Sequence, residues 1–349
     1  MRAVVVHGTG DLRIDELPDP VAGEGEVLVA MEWGGICGSD ISYWRHGASG
    51  TAVLRHPLVL GHEVAGRVVG MGGGVAGVEV GQPVTVHPAE LVGDADLPAD
   101  RANLHPKVRY YGSAAFDPHT QGGFSELKTV PVGQLRSLPD GVDTRSGALA
   151  EPLAVAMHAV RRGGDPTGRT VLVNGAGPIG CLVVAAAKRA GAARVIAADV
   201  AGSALATARA LGADEVRNIG NGDPLPEDVE LVFEASGAPA ALGAVLHATA
   251  RGGTIVQVGN LPGTPAPTVL GDLVTREITW RGSYRFAEEI TDALLAMRDG
   301  FDVTPVVTHT FDLDQAAEAM ATAADRSTGS SKVMVRLGGG NRAAGASPR

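Results

Sequence analysis

The stretch RTVLVNGAGPIGCLVVAAAKRAGAARVIAADV, residues 169–200, decides the fold. It reads as an apolar strand, a glycine turn, a helix-length apolar segment and a second strand. The turn is GAGPIG at 175–180, a G-x-G-x-x-G that follows a strand and opens a helix, the context in which the motif has physical meaning. Gly175 permits the tight turn, Gly177 lets the backbone approach a pyrophosphate, and Gly180 allows close strand–helix packing. Pro178 and Ile179 complete this phosphate loop. The helix start presents free N–H groups and a partial positive charge to the phosphates. Asp199 ends the next strand about 20 residues on, where an acid binds the ribose 2′-hydroxyl and repels a 2′-phosphate. No Arg or Lys stands in Val200 to Ala204 to offset that repulsion. NAD is therefore expected over NADP.

Outward from this unit the same alternation continues. SALATARALGAD (203–214) reads as a helix, VELVFEASG (229–237) as a strand, APAALGAVLHATARGG (238–253) as a helix and TIVQVG (254–259) as a strand. Alternating strands and helices imply a parallel, doubly wound α/β sheet with right-handed crossovers. Val258 and Gly259 end a strand at the edge where the backbone would meet the nicotinamide half. After ITWRGSY (278–284), one or two helices and a closing strand, KVMVRL (332–337), are expected. The first 140 residues have a different grammar. EVLVAMEW (26–33) and EVAGRVVGMG (63–72) are short, β-branched and bounded by glycine, and no long helical period appears. The expected organisation is a β-rich domain over 1–145, completed by 288–337, a Rossmann domain over 146–287, and a disordered tail over 338–349.

Composition bounds the function. The 349 residues carry a formal charge of -10, which argues against a nucleic-acid partner. No basic amphipathic stretch suggests a membrane surface, and no apolar run approaches the roughly 18–20 residues of a membrane span. The opening MRAVVVHGTGDLRIDELP meets charge too early for a signal peptide. Two cysteines cannot form a disulfide framework, so a reducing cytoplasm is expected.

One of those cysteines, Cys37, lies in GGICGSD (34–40), and LGHEVAG (60–66) places His62 beside Glu63. Downstream, Glu151 opens EPLAVAMHA at an expected helix start near the domain junction. Singly, each has a plain structural explanation: a core cysteine, a buried histidine, an acid at a helix N-terminus. Together, thiolate, imidazole and carboxylate form a donor set that suits zinc, and a catalytic zinc takes three protein ligands and keeps one position open. Asp40 is placed to accept the second N–H of His62 and fix its tautomer. Ser39 offers a hydroxyl for proton relay, or is a turn serine. Cys181, on the helix after the glycine turn, reads as core.

With these residues in view, the sequence resembles the polyol branch of the zinc-dependent medium-chain dehydrogenases. GGICGSD, PLVLGHEVAG, VRYYGSAAFDPH, QGGFSE, EPLAVAMHA, GAGPIGCL, VQVG and RGSYRF carry the resemblance, in order from residue 34 to 286. It implies a GroES-like catalytic domain and one catalytic zinc at Cys37, His62 and Glu63, with Glu151 as a further ligand or water holder. It implies a substrate pocket lined by Tyr43, and an Arg285 that meets both cofactor and substrate, with Ser283 beside it at the cofactor. The implied reaction is NAD-linked oxidation of a secondary hydroxyl of a sugar acid, L-idonate to 5-keto-D-gluconate, or alternatively of a neutral polyol of the sorbitol or xylitol type. A homodimer or homotetramer through Rossmann edges near ITWRG is also implied. Many relatives hold a second, structural zinc with four cysteines. Here those positions fall at Leu91, Asp94, Leu97 and His105, and two leucines cannot ligate, so no structural zinc is expected. The reading from a different class is a non-catalytic nucleotide-binding redox sensor.

Overall fold

The structure is a computed structural model that describes residues 1–338. The tail expected beyond the last strand lies, from residue 339 on, outside the described residues.

The strand Thr170–Asn174 is buried from Val171 onward because helices cover both of its faces. Its side chains alternate: Val171 and Val173 enter a core with Leu153 and Leu182, while Leu172 enters another with Val245 and Leu246. Six strands lie side by side in the order Glu215–Asn218, Arg194–Asp199, Thr170–Asn174, Val229–Glu234, Thr249–Gln257 and Thr279–Gly282, all parallel. The order reverses between Thr170–Asn174 and Val229–Glu234. At such a switch point the loops part and leave a crevice at the carboxyl ends of the strands. Gly175 turns there with φ +95°, and a Cβ on it would sit 2.5 Å from the Ser236 nitrogen. A Cβ on Gly180 would lie 1.8 Å from the Gly175 carbonyl oxygen, so the helix Pro178–Arg189 packs down only with glycine.

The first domain is built on a seven-stranded sheet in which Glu26–Gly35 runs antiparallel to Glu63–Met71. The far end of the chain returns to it: Lys332–Arg336 pairs with Glu26–Gly35, and Val307–Asp312 lies outside that. Beside the sheet, Ala89–Leu91 and Val108–Tyr110 form a two-stranded lobe. His105 staples it, taking the Lys107 N–H on Nδ1 (3.1 Å) and donating from Nε2 to the Gly93 carbonyl (3.1 Å).

Several elements differ from the expectation. A helix, Gly38–His46, stands in the β-rich part; SDISYWRH has no clean apolar period to announce it. The helix expected over 238–253 ends at Ala248, and the strand begins at Thr249, paired with Val229. Between the two C-terminal helices, Glu289–Arg298 and Ala316–Ala324, stands a strand that the alternation did not announce, Val307–Asp312. Although it falls in the segment expected to complete the first domain, the helix Glu289–Arg298 packs on the Rossmann side. Ile290 and Leu294 share a core with Leu153, and Glu289 pairs with His158 at 2.8 Å. Among the described residues, no helix is long and apolar enough to cross a membrane.

A paired substitution tests the glycine turn. Gly180→Ala should cost about 1–3 kcal/mol by overpacking, read as a lower melting temperature. A Cβ on Gly177 meets nothing within 4 Å, so Gly177→Ala should keep the wild-type melting temperature while weakening dinucleotide binding in a fluorescence titration.

Candidate active site

Strand register assembles the site. Gly35 lies opposite Glu63, so the end of one strand and the start of its neighbour meet. Two residues past Gly35, Cys37 opens the helix Gly38–His46; one residue before Glu63 stands His62. One donor atom each from Cys37, His62 and Glu63 falls within 4.8 Å of the others. Gly35 is essential to this approach, because a Cβ there would stand 2.2 Å from a Glu63 carboxylate oxygen. His62 Nδ1 is buried without a protein partner. An orphaned imidazole nitrogen beside a thiol and a carboxylate fits a zinc ion.

The electrostatics fit as well. Burial works against a charged His62 ring, but the charge and hydrogen bond of Cys37, with help from Asp40 and Glu151, raise its pKa to about 10. Glu63 is buried, and Lys332 Nζ lies 2.7 Å from both of its oxygens. Burial opposes the lysine charge, yet Glu63, helped by the charges of Cys37 and Glu151, more than offsets it and holds Lys332 above its ordinary value. The ammonium also donates to the Ile36 carbonyl at 3.1 Å. Nothing in SSKVMVRL marks this lysine, which reads as a surface residue at a strand start.

The remaining expected residues divide. Ser39 sits half-buried in the first turn of the helix after Cys37. The Asp40 hydrogen bond to His62 is not made: its oxygens accept the backbone N–H groups of Cys37 (2.9 Å) and Gly61 (3.2 Å), which fix the two ligand-bearing loops instead. Burial pushes its carboxyl up, and nearby His62 pulls it back. Tyr43 is 2% exposed, and its hydroxyl accepts the Ala114 N–H at 3.0 Å, so its position is among the core aromatics rather than open in a cleft.

Glu151, in the first turn of Ala150–Gly163, is outside the three-donor group, although its charge reaches both His62 and Glu63. Its Oε1 accepts the Tyr110 hydroxyl at 2.6 Å. Burial above all, and then the Glu151 charge, hold that phenol well above its ordinary pKa, so it remains a donor. The Tyr110 ring meets the His62 ring edge-on, with centroids 5.5 Å apart. The Arg285 guanidinium lies 4.0 Å from the Tyr110 ring centroid and 4.8 Å from that of Tyr284. Among the described residues no carboxylate pairs with Arg285. A cleft of about 590 Å³ is lined by Tyr110, Arg285, His87, Asn103, Arg136 and Glu288; none of Cys37, His62 or Glu63 lines it.

At the Rossmann edge, Asp199 accepts the N–H of Ala176 in the glycine turn (2.7 Å) and of Ala201 (2.9 Å). It therefore shapes the loop and keeps lone pairs to spare. Val258 and Gly259 donate their N–H groups to the Glu234 carbonyl. The wholly buried Glu234 carboxylate collects Asn174 (3.2 Å), Gln257 (2.7 Å) and the Ser236 N–H (2.9 Å), knitting the carboxyl ends of three strands. The Ser283 hydroxyl is buried without a partner just past the next strand. Cys181 is core, its thiol pushed up to about 12 by burial.

A three-donor cage on one domain and a glycine-turned parallel-sheet crevice on the other are the two parts of a metal-dependent, dinucleotide-linked dehydrogenase. Residues 23–140 match the alcohol dehydrogenase GroES-like domain, and residues 178–299 match the zinc-binding dehydrogenase family. Sorbitol dehydrogenase of Bos taurus is 38% identical over 333 residues, 92% of each chain. L-idonate 5-dehydrogenase (NAD(P)(+)) of Escherichia coli is 35% identical over 307 residues, 86% of this chain and 89% of that one. The crystal structure of L-idonate 5-dehydrogenase from Escherichia coli superposes with a TM-score of 0.90 at 34% identity, covering 96% of this chain and 97% of that one. That of 2R,3R-butanediol dehydrogenase from Bacillus subtilis gives 0.85 at 30% identity, covering 96% and 99%. The chain belongs to the zinc-dependent medium-chain dehydrogenases, in their polyol branch.

Two measurements probe this centre. In the metal-free site His62 keeps its proton up to about pH 10, and a bound metal must displace it. Zinc affinity should therefore rise with pH between 6 and 9, about tenfold per unit for each proton displaced. Chelator competition across that range should show the rise; a flat profile would contradict it. Lys332→Met leaves the Glu63 carboxylate buried and unpaired, at a cost of about 3–5 kcal/mol. Urea unfolding should register that loss, and adding Glu63→Gln should recover most of it.

Proposed function

We propose that this protein oxidises a secondary hydroxyl of a sugar acid with NAD, and that L-idonate, converted to 5-keto-D-gluconate, is its substrate. The observation that carries the reading is the convergence of Cys37, His62 and Glu63 within reach of the Glu151 charge, with an Arg285 close by that pairs with no carboxylate among the described residues. The set fits zinc, held by Cys37, His62 and Glu63, with Glu151 near enough to hold a water or substrate hydroxyl. When bound, zinc supplies the Lewis acidity that makes a hydroxyl acidic and NAD supplies the hydride acceptor. Ser39 carries the released proton toward solvent. Gly175, Gly177, Pro178, Ile179 and Gly180 cradle the pyrophosphate, Asp199 faces the ribose, and Val258, Gly259 and Ser283 border the nicotinamide. Asp199, with no basic residue directly after it, favours NAD over NADP. The overall change is L-idonate plus NAD+ to 5-keto-D-gluconate, NADH and a proton.

A half-buried guanidinium that no carboxylate pairs with among the described residues suits a substrate carboxylate, and this supports the sugar acid over a neutral polyol. The sorbitol dehydrogenase relative, slightly more identical to this chain, supports the neutral polyol as the second reading. In either case the substrate is a small molecule. Tyr43 would act on the pocket through the Ser113–Ala114 segment it tethers. Leu91 and Leu97 at two of the four positions support a lobe without structural zinc. Val269 and Val274, exposed near the open edge strand Thr279–Gly282, support a homodimer or homotetramer through that edge.

Metal analysis of the purified protein should find one zinc per chain, and exhaustive chelation should abolish turnover. Arg285→Ala should raise KM for L-idonate by about tenfold or more, the loss of one charge-assisted contact, and leave KM for sorbitol nearly unchanged. Equal effects on both substrates would remove the sugar-acid assignment.

A further inference from the structure

We infer that Tyr110 is a positioning residue that sets the preference for an anionic substrate, by holding Arg285 with its ring and Glu151 with its hydroxyl. The inference rests on the sugar-acid reading above and deepens it.

Arg285 occupies the left-handed backbone region, with φ 52°. That is an uncommon conformation for a residue with a side chain. The backbone around it is anchored from both sides. Asn103 Nδ2 donates to the Tyr284 carbonyl at 2.7 Å, His87 Nε2 donates to the Ala287 carbonyl at 2.8 Å, and the Ala287 N–H donates to Glu289 at 2.8 Å. Among the described residues the guanidinium has no comparable anchor. Its contacts are two aromatic faces, Tyr110 at 4.0 Å and Tyr284 at 4.8 Å. These two are unequal: Tyr110 is buried and Tyr284 is 51% exposed. A cation–π contact gains strength as it is desolvated, so Tyr110 dominates.

The same ring reaches the metal side. Its hydroxyl donates to Glu151 at 2.6 Å, and its edge meets His62. Tyr110 sits at the end of a strand of the two-stranded lobe, Glu151 on the helix after the first domain, and Arg285 on the loop past the last Rossmann strand. One side chain thus fixes the distance between the group that would take a substrate carboxylate and the carboxylate that faces the metal cage. The two functions of Tyr110 separate chemically. Phenylalanine keeps the stacking face and loses only the bond to Glu151. Leucine loses both.

The test is steady-state kinetics of the zinc-loaded enzyme on L-idonate and sorbitol. Tyr110→Phe should keep the wild-type ratio of KM values and lower kcat alike for both substrates. Tyr110→Leu should raise KM for L-idonate by about tenfold, with sorbitol little changed, as expected for a lost cation–π contact. Adding Arg285→Ala to Tyr110→Leu should cause no further loss, because both act through one contact. Tyr110→Met, a second apolar replacement without a ring face, should reproduce the Leu phenotype with Arg285 intact, and it decides the matter if Tyr110→Leu fails to fold. A wild-type ratio in Tyr110→Leu, or in Tyr110→Met, while Arg285→Ala shifts it would overturn the inference. So would Tyr110→Phe shifting the ratio as far as Leu. If the wild type oxidises only neutral polyols, the sugar-acid reading fails separately. Tyr110 is then judged by calorimetric binding of D-gluconate to the zinc-loaded protein. Weakening by Tyr110→Leu and Arg285→Ala to the same degree sustains the role; binding unaffected by Tyr110→Leu ends it.

Discussion

A carboxylate cannot be buried without a partner, and the site is organised by how Glu63 meets that constraint. Its position follows from strand register, and its charge is met by Lys332 from near the far end of the chain. The pair does more than neutralise a charge. Lys332 also bonds the Ile36 carbonyl, immediately before Cys37, so one ammonium ties the cysteine loop to the histidine–glutamate strand. Replacing such a pair with apolar residues is often neutral for stability, so its value here lies in geometry: it aims a carboxylate that packing alone would not aim. Asp40 adds a second tie between the same two loops through backbone N–H groups.

The same economy recurs at the domain junction. The cleft lies where the lobe meets the loop after the last parallel strand. Polar side chains cross that junction, Asn103 to the Tyr284 carbonyl and His87 to the Ala287 carbonyl, while Glu289 holds His158 on the Rossmann side. Each ends on a backbone group or a buried partner, so the loop that carries Arg285 is located by bonds as well as by the packing of Phe286 in the core. The lobe itself is small, and His105 bonds the Gly93 carbonyl and the Lys107 N–H just beyond its two strands.

On the Rossmann side, Glu234 has the corresponding role. It gathers Asn174, Ser236 and Gln257 at the carboxyl ends of three adjacent strands and so fixes the floor of the crevice. The glycines on either side permit the approach: Gly259 comes so near Gly237 that a Cβ would sit 2.3 Å from its nitrogen. The two domains therefore use one strategy, a buried carboxylate at a strand end with a hydrogen-bond partner on each oxygen. In the first domain the partner is a charge, and in the second a set of amides.

What the sequence alone determined was whatever repeats locally. The strand–glycine–helix unit at 169–200 gave the parallel sheet, because side-chain periodicity and glycine conformation act within a few residues of each other. Cys37, His62, Glu63 and Glu151 were legible as a candidate donor group because zinc chemistry restricts residue types severely, but which glutamate joins the thiol and the imidazole was not. The strand Val307–Asp312, the helix Gly38–His46 and the packing of Glu289–Arg298 onto the Rossmann core were not legible, since weak local patterns are overruled by distant neighbours. Tyr110 and Lys332 were missed for the same reason. A tyrosine at a strand end and a lysine at a strand start carry no local sign of what they touch. Only the tertiary structure placed the one against Glu151 and Arg285, and the other against Glu63 across 269 residues. Hydrogen bonds and charges act over a few ångströms of space, and distance along the chain does not encode that.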